Sequence, residues 1–292
     1  MKNLSLIIVS AIVTTIFTSL IILHNINKGS ESIVGSGVEE SVYERVLRTG
    51  KIRCGYGLWE PAVMRDPNTG QFSGIVYEIM QEVGKALNLE VTYDLEVDWG
   101  QIPQSLKSNK VDAHCAGVWA IPLRGKHLAF TSPISFYPAV AFARVDDNRF
   151  DHNLDAINAA NVTVAIQDDA PSQEIRDRDF PKTQTVSMSQ LSPVEELLLL
   201  VKEEKADVTF DGAARLKSFN QSHPNTLKIV PSKKALRTYP NTIAVDIGEQ
   251  KMLHMLNTTI HQLHDNGIIE KIIQKYSTDY PEEYLIKVKR PY

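Results

Sequence analysis

From Val38 onward, the apolar residues of this chain fall alternately into short strand-like runs and into stretches with a helical repeat. "VEESVYERVL" places Val42 and Val46 one helical turn apart, and "TGKIRCGYG" reads as a short strand entering a glycine turn. "GIVYEIMQEVGKALNL" carries Ile75, Ile79, Val83 and Leu87 at i+4 steps, the apolar stripe of an amphipathic helix that closes near Asn88. "EVTYDLEV" alternates Val91, Tyr93 and Leu95 as a strand. "QIPQSLKSNK" is a short helix and "VDAHCAGV" a buried strand. This βαβαβ order predicts a mostly parallel sheet with helices on both faces.

A second unit with the same grammar follows "VDDNRFDHNLDAINAA". "NVTVAIQ" alternates as a strand, and a helix follows from Ser172. "SPVEELLLLVKEEKA" offers Ser192 and Glu195 as a capping box with Pro193 at the first helical position. "DVTFDG", "LKIVPS" and "NTIAVDIG" are further strands. "EQKMLHMLNTTIHQLHDNG" then sets Leu256, Ile260 and Leu263 on one face and Gly267 as a helix stop.

Length and composition agree with this two-unit pattern. At 292 residues the chain exceeds the usual size of a single core, so two lobes or domains are expected. With 43% hydrophobic and 23% charged residues it is of ordinary globular type, which excludes collagen, coiled coil and disorder. The net charge of −4, with no long basic run, lacks the electrostatic footprint of a nucleic-acid-binding protein.

The N-terminus has a different pattern. Leu4 to Leu23 is twenty residues without a charge, preceded by Lys2 and followed by the Gly/Ser-rich "KGSESIVGSG". Twenty residues match a membrane-spanning helix, whereas the apolar core of a secretory signal runs roughly 7 to 15, and no A-x-A-like cleavage site follows. Residues 1–37 are therefore read as a signal anchor and linker, with the body of the protein outside the cytoplasm. A cleaved signal peptide is the alternative.

Two cysteines, Cys54 and Cys115, make no zinc site by themselves and form no CxxC pair. One disulfide between them, or two buried thiols in neighbouring strands, are both open. There is no GxSxG, HExxH or phosphate loop. His261 and His264 stand at i+3 on a polar helix face, a solvated pair rather than a metal site. The sequence thus implies no catalytic residue, metal or cofactor, and the chain is read as a binding protein rather than an enzyme.

Six stretches, taken in order, resemble the bacterial extracellular solute-binding proteins of family 3, the amino-acid-type receptors of ABC importers. They are "TGKIRCGY", the segment from "NTGQFSGIVYEIM" through "VDAHCAGV", "IPLRGKHLAFTSPISFY", "NVTVAIQ", "KADVTFDGAA" and "LHDNGIIEKIIQKY", between about Arg48 and Tyr276. The resemblance implies an α/β, two-lobed periplasmic-binding-protein-like fold of type 2. Lobe 1 would comprise residues 38–143 and 240–292, and lobe 2, inserted between them, residues 144–239. The hinges would lie at "AVAFARV" and "NTIAVDI".

The same resemblance gives Arg124 of "IPLR" the role of gripping the ligand's α-carboxylate, and gives Asp211 of "VTFDGAA" that of holding its α-ammonium. Guanidinium suits the first task, because it is always charged and pairs with carboxylate through two parallel hydrogen bonds. Asp207 matches a family position that makes no ligand contact and is read as a cap or turn residue. The family's hydroxyl positions beside the arginine are here Trp119 and Ile121, so two donors to the carboxylate are missing. Gly117 precedes them on the same strand. Trp119 either faces the ligand or packs in the core, and Tyr56 and Trp59, in the turn after the first strand, are further candidates of that kind. On lobe 2 the family's Gly/Ser/Thr loop is replaced by "QDDAPS", from Gln167 through Asp168, Asp169 and Pro171 to Ser172. The two aspartates either complement the N-terminus of the following helix or face the cleft, where they would attract a cation.

The resulting expectation is an extracytoplasmic, membrane-tethered, monomeric receptor. It would close on a small zwitterionic or cationic ligand and deliver it to an ABC permease in the membrane. Two other functions known on this fold are kept beside it: a cyclohexadienyl or arogenate dehydratase-like enzyme, and a receptor that signals rather than imports.

Overall fold

The computed structural model describes residues 40–232, 235–278 and 286–287. Two compact units are distinguished, Met1–Ser41 and Val42–Tyr292. The expected signal anchor at Leu4 to Leu23 and its linker lie outside the described residues, among which no helix is long and apolar enough to cross a membrane.

Val42–Tyr292 is built on one long mixed sheet. Strands β1 (Lys51–Tyr56), β4 (Glu90–Glu96) and β5 (Ala113–Trp119) form a parallel group in the order β4-β1-β5. Strands β8 (Thr163–Gln167), β9 (Gln184–Met188) and β10 (Val208–Gly212) form a second parallel group in the order β10-β8-β9. Between them run two ten-residue strands, β7 (Ser135–Arg144) and β12 (Arg237–Asp246), antiparallel to each other and to the strands they join. The remaining strands are short: β2 (Met64–Arg65) pairs β3 (Phe72–Ser73), β6 (Leu128–Phe130) pairs β12, and β11 (Leu227–Ile229) and β13 (Ile286–Lys287) pair β7. The parallel βαβ grammar read in each half of the sequence is therefore present. β7 and β12 are the strands in which the hinges are expected; residue 143 lies at the end of β7 and residue 240 within β12.

The helices follow the apolar stripes. Helix α1 (Val42–Thr49) buries Val42 and Val46. In α2 (Ile75–Leu87) the buried face is Ile75, Val76, Ile79, Met80 and Val83, and the left-handed Asn88 at φ 54° closes the helix as its position predicts. Helix α3 (Ile102–Lys107) leads into β5, α4 (Pro171–Asp179) starts one residue before the expected Ser172, and α5 (Glu196–Lys202) and α6 (Ala214–Ser222) cover the second half. Helices α7 (Gln250–Asp265) and α8 (Ile268–Tyr276) return to pack on α2, with the Gly74 amide donating to Tyr276 Oη at 2.9 Å and Lys275 paired with Glu78 at 2.6 Å. Gly267, at φ 70°, separates α7 from α8.

Three local details differ from the sequence pattern or resolve it. Leu95, expected on an apolar alternation, is an exposed residue because β4 is the edge of the sheet. The capping box at Ser192 and Glu195 does not form: α5 begins only at Glu196, and no side chain caps it. Groups that a capping box would use are engaged elsewhere: the Ser192 amide donates to the Ser189 carbonyl at 3.0 Å, and the Glu195 carboxylate binds Arg215 at 2.6 Å. The two cysteines form a disulfide joining the adjacent strands β1 and β5, both sulfurs fully buried. Closing a loop across a 61-residue separation constrains the unfolded chain by about 4 kcal/mol in the chain-entropy account.

Candidate ligand-binding cleft

β5 delivers Trp119 to the end of the sheet, and the chain then turns through "AIPLRGK". Ile121, 2% exposed, anchors this turn in the core and its carbonyl accepts from the Gly125 amide at 3.1 Å. The turn aims Arg124 back toward the strand end, where its Nη1 donates to the Trp119 carbonyl at 3.3 Å. Gly117 sits on the same strand at φ +83°, and a Cβ there would lie 2.5 Å from Asn241 Oδ1. No side chain fits at that point of the wall.

Aromatic rings hold this wall in place. Trp119 stacks on Tyr239 with ring centres 4.8 Å apart and meets Trp59 edge to face at 5.7 Å. Trp59 in turn meets Trp99 edge to face at 5.9 Å and leans on Tyr137 at 4.8 Å. Such offset and edge-to-face contacts fix ring orientation beyond what area burial alone achieves.

The opposite wall comes from the second half of the sheet. Gln167 ends β8, where its amide donates to Ser172 Oγ at 3.0 Å and its carboxamide reaches the Ser192 carbonyl. Asp211 lies near the end of β10, four residues before Arg215 on α6. Its Oδ1 accepts from the Gly212 amide at 2.7 Å, and its Oδ2 is held by Arg215 Nε. Arg215 Nη1 also binds Glu195 Oε1 at 2.6 Å. Burial works against the charge of Arg215, yet the two carboxylates keep its pKa above the ordinary arginine value.

The two walls face each other across an open cleft with about 450 Å³ of space between its atoms, open solvent included. It is lined by Trp59, Gly117, Trp119 and Arg124 on one side and by Gln167, Ser172 and Asp211 on the other, all residues singled out in the sequence. Trp99, Ala170, Pro171, Val194, Leu197, Phe210 and Arg215 complete the lining. Arg215 had a legible signal, because a basic residue four positions after an acidic one at a strand-to-helix turn is well placed to pair with it. Trp99 had none beyond its residue type.

The remaining candidates are placed elsewhere. Tyr56 is buried against Phe72 at 4.9 Å and Tyr93 at 5.9 Å, and Ile121 is core. Asp168 and Asp169 are exposed. Asp168 accepts from Ser187 Oγ, and Asp169, at φ 55°, donates its amide to Gln173 Oε1 at 2.8 Å. Of the two readings for this pair, the structure places them in the turn before α4 rather than in the cleft. Asp207 accepts from the Thr163 amide at 2.8 Å and pairs with Arg149. His261 meets Ser132 Oγ at 2.7 Å and His264 meets the Pro133 carbonyl at 3.1 Å, so both tie α7 to the loop before β7. Among the described residues no cluster of metal-ligating side chains occurs.

The electrostatics of the cleft are asymmetric. Among the described residues no carboxylate lies within ion-pair distance of Arg124, whose guanidinium donates to a backbone carbonyl instead. Desolvation by the cleft walls pushes its pKa down to about 10, against the charge of Asp211, which favours the protonated form from a longer range. A guanidinium in this condition lacks the charge-assisted partner that would offset its loss of water.

Comparison with known proteins agrees with this architecture. The family model for bacterial extracellular solute-binding proteins, family 3, matches residues 52–279. An ancestral amino acid-binding protein described as a precursor of cyclohexadienyl dehydratase superposes with a TM-score of 0.65 at 20% identity, covering 81% of this chain and 99% of its own. A mutant of ArgBP from T. maritima gives 0.65 at 21%, with coverages of 82% and 100%. A histidine kinase sensor domain with similarity to periplasmic binding proteins gives 0.66 at 20%, with coverages of 82% and 98%. Among curated proteins, no sequence matches this chain.

Proposed function

The chain belongs to the bacterial extracellular solute-binding proteins, family 3, and from that membership we propose that it is the extracytoplasmic receptor of an ABC-type importer, closing on a small ligand that carries a carboxylate. The observation that carries this reading is Arg124, a desolvated guanidinium in the cleft with no carboxylate within ion-pair distance among the described residues. Lobe 1, near residues 38–143 and 240–292, supplies Arg124 and the indole wall; lobe 2, near 144–239, supplies the Gln167 to Ser172 turn and the Asp211 site. Between them β7 and β12 act as the hinge. Ligand shifts the hinge equilibrium by as much as it prefers the closed state. The two sides meet closely at Gly100, where a Cβ would lie 2.1 Å from the Gln190 carbonyl oxygen.

The expected preference for a cationic ligand rested on Asp168 and Asp169, and their exposed position outside the cleft removes that support. The carboxylate half of the expectation rests on Arg124 and is retained. The protein would act as a monomer held to the membrane by Leu4 to Leu23. Retention in membranes after an alkaline wash is then expected, and a soluble form beginning between Gly29 and Gly37 would show a cleaved signal instead.

A thermal-shift screen of the purified protein against amino acids, opines, polyamines and aromatic acids tests the receptor reading. A ligand at 100 times its Kd stabilises by roughly 2.7 kcal/mol. Turnover of prephenate or arogenate would replace this reading with the dehydratase, and neighbouring permease and ATPase genes separate import from signalling.

A further inference from the structure

An amino acid brings two opposite charges to its site, so the cleft can be asked which of them it has groups left to receive. On the donor side, Arg124 has spent one hydrogen bond on a carbonyl and none on a carboxylate. Trp59 and Trp119, 7% and 4% exposed, also line the cleft, and their indole Nε1 groups are buried with no hydrogen-bond partner among the described residues. Those two nitrogens are covered by protein atoms, which leaves Arg124 as the charged donor open to a ligand.

The acceptor side is already committed in charge. Asp211 is the only carboxylate in the lining among the described residues; the Gly212 amide and the Arg215 guanidinium take about half of its acceptor positions, and the buried Arg215 claims its negative charge. Arg215 is nearly buried and cannot release Asp211 without leaving its own charge to Glu195 alone, whose carboxylate is 60% exposed at the rim. The inner cleft thus holds two guanidinium groups against one carboxylate. An α-ammonium needs up to three acceptors and a nearby negative charge. The neutral oxygens of Gln167 and Ser172 supply no such charge.

Resting on the receptor reading above, we propose that the ligand is an anion, a carboxylate without an α-ammonium group, so that the cleft prefers a deaminated acid to the amino acid bearing the same side chain. The carboxylate is taken by Arg124, and the apolar body lies against Val194, Leu197 and Phe210.

Matched pairs test this directly. Binding is measured by calorimetry at pH 7.5 for 3-phenylpropionate against L-phenylalanine, 4-methylpentanoate against L-leucine, glutarate against L-glutamate, and 5-guanidinopentanoate against L-arginine. Glycine betaine is added because a trimethylammonium group needs aromatic faces and no acceptor. In every pair that binds, the deaminated acid is expected to be at least tenfold tighter. In the Arg215→Leu variant, which releases Asp211, the ratio should move at least tenfold toward the amino acid. Tighter binding of an amino acid or of glycine betaine to the wild type overturns this inference while the receptor reading stands. Failure of all these carboxylates to bind overturns both.

Discussion

Arg124 and Asp211 line the same cleft and carry opposite charges, yet their surroundings are unlike. Asp211 has a dedicated partner four residues on, and Arg215 has a second carboxylate in Glu195, so this wall is electrostatically complete. Arg124 is desolvated and has no such partner within ion-pair distance among the described residues. A charge satisfied within the fold stabilises it and offers little to a ligand; a charge left unsatisfied costs stability and supplies binding energy when a partner arrives. The identity of a residue does not tell these cases apart, but its neighbours do.

The largest effect should appear in the stability of the free protein. Asp211→Ala removes the inner partner of the buried Arg215 and should cost about 3 to 5 kcal/mol in denaturant unfolding. Arg124→Ala removes a charge that has no partner to lose, and should change stability by less than about 1 kcal/mol or raise it. Equal losses in the two variants would dissolve the distinction between the walls.

A second effect is expected with pH. His114 lies on β5, fully buried, and desolvation, reinforced by the charge of Arg124 and partly offset by a hydrogen bond to the Val97 carbonyl, lowers its pKa from 6.5 to about 4. The unfolded chain therefore binds more protons than the folded one between those values. The stability His114 contributes is present above pH 6.5 and is lost as pH falls toward 4, on the order of 2 to 3 kcal/mol. Unfolding curves between pH 7 and 4 should show this decline, and His114→Gln should flatten it. An unchanged slope in the variant would assign the decline to other groups.

The third concerns closure. Gly100→Ala places a methyl group 2.1 Å from the Gln190 carbonyl oxygen, so the two sides must separate by a fraction of the cleft width. A loss of affinity of roughly tenfold, or about 1.4 kcal/mol, is expected with the melting temperature of the free protein nearly unchanged. Wild-type affinity in this variant would show that the Gly100 contact is no part of the bound state.

Much of the fold was legible because its signals are periodic. The stripes of α2 and α7, the alternation in "NVTVAIQ" and the parallel order of both strand groups all follow from where apolar residues must point. The α5 start was misread because Ser192 and Glu195 fit a capping pattern while the Ser192 amide is committed to the Ser189 carbonyl and the Glu195 carboxylate to Arg215, contacts set by the three-dimensional arrangement. The same reason separates the site residues. Arg124, Gly117 and Trp119 lie on one strand and turn, so their association is local. The exposure of Asp168 and Asp169 depends on the left-handed turn at Asp169, and the loss of Asp211 as a free acceptor depends on where α6 directs Arg215. Trp99 enters the cleft from the 3-10 turn Trp99–Gln101 between β4 and α3, and no periodicity marks it.

The central claim is that Arg124 holds the carboxylate of the ligand, and titration calorimetry of the wild type, Arg124→Ala and Arg124→Lys with a carboxylate ligand from the screen tests it most directly. Charge-assisted hydrogen bonds contribute roughly 1.5 to 3 kcal/mol each, and Trp119 and Ile121 offer no hydroxyl to take over. Arg124→Ala should therefore bind on the order of a hundredfold more weakly, and Arg124→Lys should recover only part of the loss, since an ammonium cannot reproduce the two-pronged geometry. Wild-type affinity in a folded Arg124→Ala protein would contradict the account.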